Sequence, residues 1–128
     1  MDFDTMRFSK EHEWVKVDNG SDVVTVGITD YASGELGDIV YIEFPETGQE
    51  VKISEPMGTI EAVKTVADLF SPVTGTVKEV NGAVNDDPGI VNQSPYGEGW
   101  FVKIEMSDKS ELEGLMGKAE YDRMVGKE

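Results

Sequence analysis

Apolar and polar residues alternate along most of this chain, in short stretches that glycine and proline repeatedly interrupt. A period of two puts successive side chains on opposite faces of a strand, so the pattern favours β structure over long helices. Trp14-Val15-Lys16-Val17 reads as a strand ended by the turn residues Asp18-Asn19-Gly20. A β-branched run follows over 23–28, broken by Gly27. Thr29 then caps a short helix to about residue 36, with Gly37 as its stop signal. Strand character resumes over 38–44 and ends at Pro45. Further strands are expected over 57–63, 76–80 and 100–106. Residues 81–99, dense in Asn, Gly and Pro, read as loop.

Toward the C-terminus the period changes. Leu112, Leu115, Met116 and Ala119 fall at helical spacing, and Tyr121, Met124 and Val125 start a second stripe. Gly117 sits where the stripe slips, which predicts two short helices whose apolar faces pack on the core. A faint echo between Leu36-Gly37-Asp38-Ile39-Val40 and Val73-Thr74-Gly75-Thr76-Val77 is too weak to establish a repeat. The 128 residues, 38% of them apolar, suit one domain over 1–128 with its core in about 8–121. The expectation is a mainly β domain closed by a helical appendage.

Charge excludes whole classes of partner. Eleven basic residues against 26 acidic ones give a net charge of −15. Such a surface repels nucleic-acid phosphates and anionic headgroups, so neither nucleic acid nor membrane is expected as a partner. No apolar run approaches the roughly 20 residues of a membrane span. Met1-Asp2-Phe3-Asp4 lacks the basic and apolar regions of a signal peptide, so the expected location is the cytoplasm. With no cysteine there is no disulfide, zinc-thiolate site or thiol nucleophile.

Motifs for catalysis are equally sparse. The single histidine, His12, lies between Glu11 and Glu13 and cannot build a histidine metal site by itself. Asn85-Asp86-Asp87-Pro88-Gly89 lacks the alternating ligand spacing of a calcium loop and reads as a solvated turn. Gly97-Glu98-Gly99 is not a phosphate loop. Asn19-Gly20-Ser21 and Asn92-Gln93-Ser94 fit the glycosylation pattern, which has no meaning without secretion. No metal site and no enzymatic activity are expected.

The segment 57–75 departs from this plain background. A strand enters, a tight turn surrounds Lys64, and a second strand leaves toward Ser71-Pro72. A lysine at a hairpin tip offers a primary amine whose stem is free of packing. The pattern resembles the biotinyl/lipoyl carriers, in which a tip lysine is acylated by a cofactor acid. Biotin carriers place methionine on both sides of the lysine, whereas Val63 and Thr65 stand here. Glu61, three residues before Lys64, matches the lipoyl pattern.

More of the chain then matches one lipoyl family. His12-Glu13-Trp14-Val15, Val26-Gly27-Ile28-Thr29-Asp30-Tyr31-Ala32 and Leu36-Gly37-Asp38-Ile39-Val40-Tyr41-Ile42 resemble glycine cleavage system H proteins. So do Pro45-Glu46-Thr47-Gly48, Ser71-Pro72-Val73-Thr74-Gly75, Pro88-Gly89-Ile90-Val91-Asn92, Pro95-Tyr96-Gly97-Glu98-Gly99-Trp100 and Ser110-Glu111-Leu112. Ser33, where the family commonly has glutamine, and Ala67, where it has a small polar residue, depart from the pattern.

The resemblance implies a barrel-sandwich hybrid of two antiparallel sheets, with lipoic acid amide-linked to Lys64 and Glu61 read by the lipoyl-attaching enzyme. It implies a monomeric carrier that takes an aminomethyl group from the pyridoxal-phosphate glycine decarboxylase. An aminomethyltransferase then moves the carbon to tetrahydrofolate, and dihydrolipoamide dehydrogenase reoxidises the dithiol. It further implies that the loaded arm folds back past Glu13, Ile28, Glu35 and Asp68. A processed eukaryotic member would work in the mitochondrial matrix. Two alternatives are an H-like protein relaying lipoyl groups to other carriers, and a β-rich interaction module that is never modified.

Overall fold

The computed structural model describes residues 3–18 and 21–126, so Asn19 and Gly20 of the expected turn lie outside the described residues. A 3-10 turn, Phe3–Thr5, leads into β1 (Met6–Phe8), β2 (Glu13–Val17) and β3 (Val23–Ile28). Then come α1 (Asp30–Leu36), β4 (Ile39–Glu43), β5 (Glu50–Val51), β6 (Pro56–Ala62) and β7 (Val66–Phe70). The last part holds β8 (Gly75–Val80), α2 (Gly82–Asp86), α3 (Gly89–Gln93), β9 (Val102–Met106), a 3-10 segment Lys109–Gly114, and α4 (Lys118–Met124).

Alternation sorts these strands into two layers. One sheet has six strands in the order β1-β2-β3-β9-β8-β5, the other three in the order β4-β6-β7. Every pairing is antiparallel. Val24, Val26, Val77 and Ile104 from the large sheet meet Ile42, Ile60 and Leu69 from the small one, all buried in one core. The two sheets stay separate and do not close into a barrel, giving the sandwich of a barrel-sandwich hybrid. Met6, Phe8, Trp14 and Tyr121 form a second, aromatic core under the β1–β2 hairpin.

Three features differ from the sequence reading. Strands β1 and β5 are only three and two residues long, too short to carry a period. The stretch 81–99 is not plain loop, because it contains α2 and α3. Asn81 organises it from a buried position: its Oδ1 accepts from the Ala83 N–H at 3.1 Å, and its Nδ2 donates to the carbonyls of Glu98 and Trp100 at 2.9 and 2.8 Å. Val84 and Val91 then anchor each helix in the core.

At the C-terminus only the second predicted helix is α-helical. The first is a 3-10 segment, because Met116 leaves the helical path and pairs with Phe8 as a strand would, by two backbone hydrogen bonds of 2.7 and 2.8 Å. Ala119 and Met124 are exposed, so the expected apolar stripe buries chiefly Tyr121. Glu111, in the 3-10 segment, takes hydrogen bonds from the Thr74 N–H and hydroxyl at 2.7 and 2.8 Å. That contact ties the appendage to the residue that precedes β8.

Candidate functional site

The β6–β7 hairpin is in register Glu61↔Val66, Ile60↔Ala67 and Thr59↔Asp68. Its turn is closed by the Ala62 N–H on the Thr65 carbonyl at 2.8 Å, and tethered by the Val63 N–H on the Asp38 carbonyl at 2.9 Å. Lys64 is exposed at the tip and makes no ion pair among the described residues. Its alkyl stem crosses Gly37. That residue has φ +79°, and a Cβ there would sit 3.0 Å from Lys64 Cε. Gly37 therefore serves twice, as a left-handed helix stop and as the seat over which the lysine passes.

Beside the hairpin opens a cleft of about 250 Å³. The β1–β2 loop supplies Glu11 and His12, the start of β2 supplies Glu13, the end of β3 supplies Ile28, and α1 supplies Tyr31, Ala32, Glu35 and Leu36. Ile60, Ala67 and Asp68 close it from the hairpin. Glu13, Ile28, Glu35 and Asp68, drawn from four separate segments, thus share one cavity, and the Lys64 stem passes over Gly37, the residue after the lining Leu36. A wider groove of about 530 Å³ along the β5–β8 edge is lined by no buried acid.

Glu13 is the unusual wall. It is 1% exposed. Burial raises its pKa to about 8, opposed by hydrogen bonds from the Ser9 hydroxyl and the Phe70 N–H, and Glu11 adds like-charge repulsion. The Ser9 hydroxyl donates to Oε1 at 2.6 Å and accepts from the Glu13 N–H at 3.0 Å. Burial thus favours the protonated form of this carboxyl at neutral pH. A cation entering the cleft favours the ionised form and draws the pKa back down.

His12 lies opposite in a left-handed backbone conformation, φ 72°, that histidine tolerates better than most residues. Its Nδ1 is 2.7 Å from Tyr121 Oη, which is 2.7 Å from Thr29 Oγ1. Thr29 Oγ1 also accepts from the Ala32 N–H, so the Thr29, Tyr121 and His12 side chains form one connected chain of hydrogen bonds. Burial, the largest influence on His12, lowers its pKa.

Sequence reasoning overlooked the clamp that ties α1 and the start of β4 to α3. Asn92 on α3 donates to the Gly37 carbonyl at 2.8 Å and to Ser33 Oγ at 3.1 Å, and accepts from the Ile39 N–H at 3.0 Å. Its only sequence signal is the block Pro88–Asn92. The two departures also have places. Ser33 is buried and meets Asn92, while Ala67 lines the cleft beside Ile60. Glu61 is exposed on β6, outside the cleft.

Comparison with known proteins adds an independent line. The family model described as Glycine cleavage H-protein matches residues 6–128. A glycine cleavage system H protein of Staphylococcus carnosus is 50% identical over 121 residues, covering 94% of each chain. One of Bacillus velezensis is 51% identical over 120 residues, covering 94% of this chain and 93% of the relative. The crystal structure of a glycine cleavage system H protein from Mycobacterium marinum superposes with a TM-score of 0.87 at 35% identity, over 96% of this chain and 98% of that one.

Proposed function

Because the chain belongs to the glycine cleavage H-protein family, whose members are carriers and not catalysts, we propose that Lys64 is its lipoyl attachment residue. The observation that carries this reading is an exposed amine at a hairpin tip, its stem passing Gly37 next to Leu36 of a cleft walled by both apolar and acidic side chains. The residues present suit the group. A free amine can form the amide, Ile28, Leu36, Ile60 and Ala67 offer apolar contact to an alkyl arm, and Glu13, Glu35 and Asp68 offer acceptors to a cationic amine. Bound there, lipoic acid would supply a dithiolane that accepts the aminomethyl carbon of glycine and two electrons.

The chain's own residues do the rest. Glu13 meets an ammonium by giving up its proton and forming a charge-assisted hydrogen bond. Asp68, on the hairpin strand itself, supplies a second acceptor near the arm's root, and Glu35 a third. Ile28 and its apolar neighbours exclude water from the enclosed carbon. Glu61 marks the hairpin for the lipoyl-attaching enzyme. The whole acts as one cytoplasmic, monomeric carrier domain that visits glycine decarboxylase, aminomethyltransferase and dihydrolipoamide dehydrogenase in turn. Its net charge of −15 supports fast, reversible docking on basic surfaces. The test is Lys64→Arg, which keeps the charge but presents a guanidinium. The variant takes up no lipoyl group, and uptake equal to wild type refutes the assignment.

A further inference from the structure

The outer face of the small sheet carries a row that the cleft does not use. Tyr41 on β4 pairs with Glu61 on β6, which pairs with Val66 on β7. Tyr41 is 50% exposed and Val66 62%, while Glu61 between them is exposed as well. Val40, 53% exposed, sits at the β4 bulge, and Val63, 73% exposed, directly precedes Lys64. Of the six large hydrophobic side chains exposed among the described residues, four therefore gather at the hairpin that ends in Lys64. On so acidic a chain, an apolar patch confined to one end marks an interaction surface.

Resting on the reading of Lys64 as the acylated residue, we propose that the row Tyr41-Glu61-Val66 is the docking surface for the enzyme that acylates Lys64. The choice of occupant follows from reach. A partner that uses the finished cofactor meets it at the end of a long arm and can leave the hairpin uncovered. The acylating enzyme has to bring an acyl carbon to bonding distance of Nζ itself. The deprotonated amine attacks the carbonyl carbon of an acyl adenylate. The C–N bond forms, the C–O bond to the adenylate phosphate breaks, AMP leaves, and the amine proton passes to a base. Closing that distance covers the side chains around Lys64. The matching surface is an apolar shelf bearing one cation opposite Glu61. Tyr41 and Val66 supply contact area on either side, and Glu61 fixes the register.

The experiment uses the unlipoylated full-length protein as acceptor for a lipoate-activating ligase with lipoate, ATP and Mg²⁺. Tyr41→Thr and Val66→Thr remove the apolar surface and keep strand preference. Urea midpoints check that both fold. Each raises the KM for the acceptor about tenfold and leaves kcat within about twofold, and Tyr41→Phe restores the wild-type KM, as expected for exposed residues of a contact's centre. A wild-type KM in both Thr variants, with Lys64 still the acylated residue, overturns this inference alone. Acylation at another lysine in the wild-type protein overturns the underlying reading of Lys64 instead. Normal acylation combined with impaired use of the lipoylated variants by glycine decarboxylase assigns the surface to that enzyme, and so also overturns the proposal.

Discussion

Replacing Glu13 by glutamine keeps the shape of a buried side chain and removes its proton equilibrium. The glutamine carbonyl still accepts from the Ser9 hydroxyl, which reaches Oε1 at 2.6 Å. The wild-type carboxyl has a pKa of about 8 against an ordinary 4.5. Between those values the folded chain holds a proton that the unfolded chain has released. Its contribution to stability is therefore complete below about pH 4.5 and is lost as pH rises through about 8. The variant lacks this loss. Measured against wild type, Glu13→Gln should gain about 1.4 kcal/mol per pH unit across that window, reaching at most about 5 kcal/mol at its upper end. Urea unfolding of both proteins at unit steps of pH reads the difference directly, since titrations common to both cancel. Parallel stability curves would refute the claim that Glu13 is buried as a neutral acid.

Three more outcomes follow from the same geometry. Tyr121→Phe leaves the Thr29 hydroxyl and His12 Nδ1 without their shared partner, and should cost about 1–3 kcal/mol in urea unfolding. A loss below about 0.5 kcal/mol contradicts the relay. Glu61→Ala should slow lipoylation while shifting the unfolding midpoint little, because an exposed strand carboxylate contributes little stability. Unchanged lipoylation kinetics remove Glu61 from recognition. Once charged with glycine-derived carbon, Glu13→Ala and Asp68→Ala should release formaldehyde faster than wild type, and equal release rates exclude sheltering by the cleft.

What could be read from the chain divides along a physical line. The run from Thr29 to Gly37 was legible because its signals are local: the Thr29 hydroxyl accepts from the Ala32 N–H, and Gly37 adopts φ +79°. Strands long enough to show a period were legible too. Helices α2 and α3, five residues each, were not, since one turn shows no stripe and their stability comes from Val84, Val91 and the buried Asn81. The cleft is the clearest contrast. Nothing local distinguishes Glu13 among 26 acids, and its burial depends on strands far away in sequence. Family resemblance named its residues. Only the fold explains why burial favours the neutral form of one of them and how Asn92 ties α1 to the start of β4.

The carrier role rests on one amine, that of Lys64. Fragmentation mass spectrometry of the protein purified from its own host, grown with lipoate, locates any covalent adduct residue by residue. The predicted result is a single lipoyl amide on Lys64, with Lys52, Lys78 and Lys103 unmodified. An unmodified Lys64 in a fully recovered sequence, or a lipoyl group on any other lysine, would contradict the central claim.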